Sequence, residues 1–296
     1  MSTATDPSRE SWLSERRTFI GASDAPSILG VGYETPFAVW ARKTGALPPD
    51  ESENELLECG LVLQPAIIEL LRRRSGYQVV EEPAWTVRRH PHISWLGCSL
   101  DAFIDDAEAG IGVVEAKNVG SYNAADWKDQ EPPLRYNVQV QAQMAVTGAT
   151  WAIVVGLIGG NRLVWHTVPR DDTFIDRMVR ALGEFWELVE SGTPPPVDGS
   201  EYTARVLARI FPVDNGSIVR LPDESRDWDS ALVGLKAQRS VIDKNIGLLE
   251  NQFKAALGES SEGLLPDGGR YTWKEQTRKE YVCPESKFRV LRRAAK

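Results

Sequence analysis

Cysteine is scarce in this chain: three in 296 residues, Cys59, Cys98 and Cys283. They are too few and too scattered for a disulfide framework or a four-thiolate zinc site, so a reducing, cytoplasmic setting is the expectation. No run approaches the roughly 18 apolar residues that span a bilayer, which argues against a membrane partner. The opening stretch MSTATDPSRESWLSERR lacks the apolar centre of a secretory signal. A G-x4-G-K-[ST] loop is missing, so no ATP-driven motor is expected. Positive charge is in deficit, with 34 Lys and Arg against 42 Asp and Glu and a net charge of −8. Such a chain does not coat nucleic acid by bulk attraction, and any positive potential has to be local, in a channel or groove. The remaining balance, 42% hydrophobic and 26% charged, excludes a wholly disordered or collagenous chain.

Periodicity organises what is there. A charged helical segment, SWLSERRTF, breaks at IGASDAPSILG, where Asp24 or Ser23 could cap a short helix at Pro26–Leu29. A second helix carries Phe37, Val39, Trp40 and Lys43 before Gly45. Residues 50–75 read as a long helix, with Leu56, Leu63, Ile67, Leu70 and Leu71 near a 3.6-residue period. The period then shortens. Tyr77–Val80, Ala84–Arg88, Ser99–Ile104, Gly112–Ala116, Trp151–Ile158 and Arg162–Pro169 read as strands. Helices are expected at Leu134–Thr147, with Tyr136, Val140 and Met144 on one face, and at Asp171–Val189. Gly159–Asn161 reads as a hairpin turn.

The fold class is therefore α/β: a small mixed central sheet flanked by helices, over residues 1–190. The stretch SGTPPPVDGS opens a linker assigned to 191–225, and 226–296 form a C-terminal helix, hairpin and basic tail. In that helix Trp228, Leu232, Leu235, Ile242, Ile246, Leu249, Phe253 and Ala256 alternate steps of four and three, interrupted by Arg239. Such a seam suits an amphipathic helix lying on the body, or self-association. Arg270–Trp273 with Glu280–Val282 reads as the hairpin, followed by Lys287, Arg289, Arg292, Arg293 and Lys296.

The chemistry concentrates in SWLGCSLDAFIDDAEAGIGVVEAKN. Thirteen residues separate Asp101 from Glu115, and Lys117 lies two beyond Glu115 on an apolar strand, so both side chains leave one face. Two carboxylates and an ammonium at a sheet edge can hold Mg²⁺ and steady an attacking water, as phosphodiester cleavage requires. The bland alternative is a solvated pair. Against it, Glu115 closes the apolar run Ile111, Val113, Val114, where an unpartnered charge is unfavourable. His90 and His92, without a third ligand, read as surface residues.

S-L-D…E-A-K resembles the PD-(D/E)xK nuclease signature, and the surrounding chain is similar to the YqaJ-type viral recombinase family, a phage lambda exonuclease-like branch. RRTFIGASDAPSILG resembles that family's arginine followed by G-x-S-D, and FAVWARKTG its next helix. ECGLVLQPAIIELLRRRSGY resembles its G-x3-E-P helix, and YNVQVQAQMAVTG its Y-x-x-Q-x-Q-x-x-M-x-V-T-G helix. The likeness covers roughly residues 12–190 and implies a restriction-endonuclease-like core.

The resemblance implies roles. Asp101, Glu115 and the carbonyl of Ala116 match metal ligands, Lys117 the catalytic lysine, and Gln139 and Tyr136 the glutamine-helix motif beside the site. Arg16 and Ser23 fall on the pattern that contacts a 5′-phosphate, with Ser99 a weaker third candidate and Arg17 competing with Arg16. Gln64 stands where the family carries a metal-site glutamate. An amide adds no charge, so a second metal should bind less well, and Glu69, one turn on, is a poor substitute. The implied activity is Mg²⁺-dependent (or Mn²⁺-dependent) 5′→3′ degradation of one strand from double-stranded DNA ends, with two ions per site. The implied partners are a single-strand annealing protein and further copies in a homo-oligomeric ring, in the host cytoplasm for a phage-encoded chain. Three cysteines exclude the four-cysteine iron–sulfur cluster of some related nucleases. The rival readings are a DNA-end-binding member with weak or lost cleavage and an endonuclease of the same superfamily.

Overall fold

The run WAIVVGLI has no polar position to turn toward solvent, and all eight of its residues, Trp151–Ile158, are buried. The computed structural model of the chain describes residues 9–48, 55–128, 130–280, 282, 285 and 287–294. They fall into two compact units that divide between Pro212 and Val213.

The first unit begins with α1 (Arg9–Glu15), β1 (Ile20–Gly21), α2 (Ala25–Ile28), α3 (Pro36–Lys43) and α4 (Glu55–Ser75). The strands β2 (Val79–Glu81), β3 (Arg88–Arg89), β4 (Leu96–Cys98), β5 (Ala102–Asp106) and β6 (Gly110–Val119) follow. Then come α5 (Leu134–Thr147), β7 (Trp151–Ile158), β8 (Arg162–Pro169), α6 (Asp172–Glu190) and α7 (Glu201–Ile210). The central sheet has the order β2-β5-β6-β7-β8, and a small second sheet has the order β1-β4-β3. Only β6 and β7 pair in parallel within the central sheet. A parallel pair needs a crossover rather than a tight turn, and α5 provides it.

Side chains alternate across β6 and build a core on each face. Val114 packs with Ile67, Ile68 and Leu71 of α4 and with Ile153 and Val155. Val113 packs with Val138 and Ala142 of α5, Met178 and Leu182 of α6, and Val154. Helix α5 stops at Gly148, whose left-handed backbone (φ +74°) lets its N–H reach the carbonyl of Met144. At Gly156 a β-carbon would lie 2.7 Å from the Trp127 ring, so only glycine admits that indole against β7.

The expected mixed sheet flanked by helices is what the chain forms. The stretch read as a linker instead carries α7, capped by Ser200, whose hydroxyl accepts from the Thr203 N–H at 3.1 Å. Thr203 meets Thr35 hydroxyl to hydroxyl at 3.1 Å, and Val206 packs on Phe37, Ala38 and Ala41. The prolines end before this helix begins, and its apolar stripe is paired by a segment some 165 residues earlier in the chain. The first unit therefore runs to Pro212.

In the second unit α8 (Ser225–Leu257) contains the expected apolar seam but buries none of its 33 residues. The hairpin is shifted from its expected place. β9 (Glu262–Leu264) pairs antiparallel with β10 (Arg270–Thr272), and Pro266–Gly269 make the turn. Of the stretch Glu280–Val282, Tyr281 lies outside the described residues, and Glu280 and Val282 are in no strand. The overlooked signal is P-D-G-G, with Gly268 at φ +89°.

Val206→Ala tests the docking of α7. Removing two buried methylene equivalents at roughly 0.8 kcal/mol each should lower stability by about 1.5 kcal/mol. The readout is a urea midpoint that falls at unchanged slope. An unchanged midpoint would detach α7 from the core.

Candidate active site

Antiparallel pairing of β5 with β6 sets Ala102 opposite Val114, so one step back along β5 places Asp101 opposite Glu115. This pairing brings together two acids that are 14 positions apart. Asp101 Oδ2 accepts the backbone N–H of Ala116 at 2.7 Å. Burial and the neighbouring Glu115 charge push its carboxyl up to about 8, against the opposing pull of Lys117 and the Ala116 amide. Glu115 is 3% exposed. It accepts from Lys117 Nζ at 2.5 Å, Gln139 Nε2 at 2.7 Å and Gln143 Nε2 at 2.6 Å. Burial works against the Lys117 charge, but Glu115 and Asp101 outweigh it and hold the amine protonated above its usual range.

Gln139 and Gln143 are one helical turn apart on α5, so both amides face β6. Gln141, between them, serves another purpose: it donates to the carbonyl of Pro169 and accepts the N–H of Asp171. The motif pointed to Gln139 and passed over Gln143; the i, i+4 spacing was the available signal. Tyr136, one turn before Val140, lies with its ring 5.1 Å from Lys117 Nζ. Its hydroxyl meets that of Tyr33 at 3.1 Å, and the Arg135 guanidinium sits 4.7 and 4.9 Å from the two rings.

A second cluster joins the first through Ser99. Arg16 Nη2 donates to Ser23 Oγ at 2.6 Å, and its guanidinium lies 4.6 Å from the centre of the Trp12 ring. Trp12 Nε1 donates to Ser99 Oγ at 2.9 Å, while the Ser99 carbonyl lies 3.5 Å from Gln143 Nε2. Arg16, Ser23 and Ser99 thus come together, and Trp12 is the side chain that the sequence reading missed. Arg17 is exposed, and the bonds of the cluster fall on Arg16.

Beneath them lies Asp24, whose side chain does not cap α2. Its carboxylate accepts from Lys43 at 2.6 Å, Arg42 at 2.8 Å and the Gly21 N–H at 2.9 Å, with Arg16 at 3.7 Å. Burial alone would raise this carboxyl, but Lys43, Arg42 and Arg16 reverse the effect and hold it well below its usual range. Lys43 also donates to the Arg16 carbonyl at 2.6 Å, fixing the backbone that carries the guanidinium.

Gln64 is half-buried on α4, one turn before Ile67 and Ile68. Among the described residues, none of the hydrogen bonds of the two carboxylates involves it. Glu69 is committed to Arg72 and Arg73, at 3.1 and 2.8 Å, and does not replace the missing acid. No cluster of three His, Cys, Asp or Glu side chains occurs among the described residues. The oxygen donors Asp101, Glu115 and the Ala116 carbonyl are of the kind hard divalent cations take. His90 is a turn residue, its Nδ1 accepting the backbone N–H groups of His92 and Ile93.

The fold that carries this acid pair and lysine is shared with solved exonucleases. The alkaline exonuclease LHK-Exo from Laribacter hongkongensis aligns with a TM-score of 0.52 and 21% identity, over 68% of this chain and 99% of that one. The same enzyme in complex with dAMP aligns with a TM-score of 0.52 and 22% identity. In sequence, residues 11–150 match the YqaJ-like viral recombinase domain. The protein YqaJ of Bacillus subtilis (strain 168) is 34% identical over 266 residues, 88% of this chain and 82% of that protein. The chain belongs to the YqaJ-like viral recombinase family.

Asp24→Asn should cost about 3–5 kcal/mol at neutral pH, because Lys43, 2% exposed, loses its counter-charge. The more exposed Arg42 contributes less. A depressed carboxyl contributes stability that is fully present above its ordinary value of 3.8 and lost as pH falls toward the folded value. Urea titrations should therefore show the gap between native and variant chains closing below pH 3.8. A gap independent of pH would remove the charge from the explanation.

Proposed function

We propose that the chain is a divalent-metal-dependent exonuclease that degrades one strand of linear duplex DNA 5′→3′, leaving 3′ overhangs for a single-strand annealing protein. The observation that carries the reading is Glu115, buried beside Asp101 and gripped by one ammonium and two amides. Asp101, Glu115 and the Ala116 carbonyl would hold Mg²⁺ or Mn²⁺. The ion would supply charge neutralisation at the phosphate and lower the pKa of a bound water so that its deprotonated form is available as nucleophile near neutral pH. The residues of the chain do the rest. Gln139 and Gln143 fix both oxygens of Glu115, so the carboxylate does not have to reorganise during reaction. Lys117, protonated, stands beside the acids to stabilise charge that develops on the phosphate. Arg16 and Ser23 form a cationic, hydroxyl-bearing cluster suited to a terminal phosphate by charge-assisted hydrogen bonds. The dAMP complex of LHK-Exo supports a nucleotide ligand for this fold.

A net charge of −8 on a DNA-handling protein fits a closed homo-oligomeric ring whose positive potential is confined to its lumen. The few, scattered cysteines support a cytoplasmic setting, and among the described residues no helix is long and apolar enough to cross a membrane. Gln64 favours a second reading, a DNA-end binder with weak cleavage.

End-labelled linear duplex and a covalently closed circle, each with Mg²⁺, separate these readings. The native chain should consume the linear form alone, faster from a 5′-phosphate than from a 5′-hydroxyl. Arg16→Ala should erase that preference. Glu115→Gln and Lys117→Ala should each slow degradation on the order of 100- to 1,000-fold. Near-normal rates in either would sink the assignment, and cutting of the circle would indicate an endonuclease.

Gln64→Glu adds a carboxylate, and charge count tunes affinity for hard cations. The Mg²⁺ concentration for half-maximal activity should fall. A nearly inert native chain whose cleavage returns in Gln64→Glu would establish the end-binding reading.

A further inference from the structure

Charge is divided unevenly along the chain. Residues 270–296 contain nine Lys and Arg against three Glu, a net +6, while everything before them carries −14. Between Trp273 and Ala294 the described residues form neither helix nor strand, and all are exposed. Aromatic rings stand among the cations: Trp273 is 50% exposed and Phe288 75%.

The strip is tied to α8 at two points. Tyr271 stacks on Phe253 with ring centres 4.0 Å apart, and Arg293 makes two bonds to Asp229, at 2.7 and 3.0 Å. Phe253 and Asp229 are separated by about 36 Å of helix at 1.5 Å per residue. The cations are thereby strung along a line in the second unit rather than gathered in a pocket. A linear polyanion fits that layout, and the exposed rings narrow its chemistry. Unpaired bases offer open π-faces to aromatic side chains, whereas duplex bases keep theirs stacked. Within the second unit the cations of the strip are where a polyanion is attracted.

We propose that the strip from Trp273 to Arg293 is a binding segment for single-stranded nucleic acid. Lys274, Lys279, Lys287 and Arg292 contact phosphates, while Trp273 and Phe288 stack on bases. This binding needs no cleavage, so it stands or falls apart from the nuclease reading.

The test measures fluorescence anisotropy of labelled (dT)30 with the full chain in EDTA across a KCl series. Each phosphate contact on a single strand contributes about −0.7 to the slope of log K against log salt. The variant K274Q/K279Q/K287Q/R292Q should flatten that slope by about 3 and weaken binding at low salt. The charge-retaining K274R/K279R/K287R chain should bind as the native one does. Trp273→Ala with Phe288→Ala should weaken (dT)30 at least tenfold, at about 1–3 kcal/mol per stacked base, and leave an abasic strand of equal length unaffected. An unchanged slope in the Gln variant, or loss of binding in the Arg variant, overturns the proposal. So does an equal effect of the aromatic variant on duplex binding or on the abasic strand.

Discussion

Glu115 is a carboxylate placed where an apolar strand meets an apolar helix, and the surrounding architecture answers the cost of burying it. An unpaired charge there would cost several kcal/mol. The chain supplies Lys117 from the same strand and two amides from one face of α5. Those amides reach Glu115 because α5 is the crossover between the parallel strands β6 and β7. The crossover helix is therefore both covering layer and ligand to the acid, and its register is fixed twice, once by Val138, Ala142 and Ala145 in the core and once by polar bonds.

Asp24 solves a related problem differently. Its partners are cations from a neighbouring helix and the preceding turn, so its charge is over-compensated and its carboxyl is held ionised. Asp101 is buried with a like charge beside it and a single shared ammonium, and its carboxyl rises. The first arrangement secures positive side chains in place. The second leaves two acids short of positive partners, so that one of them resists ionisation.

Much of this was readable in the residues. The strands of the central sheet and the helix Leu134–Thr147 follow from period, because their burial patterns are set by neighbours in the same sheet, whereas the expected strand Ala84–Arg88 turns at Ala84–Trp85 and the short β3 and β4 of the second sheet went unread. The spacing Asp101, Glu115, Lys117 located the acid pair because a hairpin between β5 and β6 converts chain spacing into opposition. Gln143 escaped because a glutamine in an amphipathic helix reads as solvent-facing, yet it is 0% exposed. Its spacing of four from Gln139 sets it apart from Gln141, which is also buried and serves a loop. Helix α7 escaped because three prolines dominate the reading just before it, and its stripe is explained only by α3. Trp12 escaped because its partner, Ser99, lies 87 positions away.

That last distance divides the site into parts of different mechanical character. The acid pair, the lysine and the two amides come from Asp101 to Gln143, one continuous stretch whose strands also carry the central core. The cluster of Arg16, Ser23 and Ser99 is joined through α1, which buries none of its seven residues and whose Trp12 is tied back by a bond to Ser99. Local opening costs least where buried apolar contacts are few. Fraying of α1 therefore releases the Trp12 bond to Ser99 and its ring from Arg16, while the carboxylate cluster of β6 and α5 stays assembled. The cluster linked through Trp12 is the shorter-lived of the two, and the buried acid pair outlasts it.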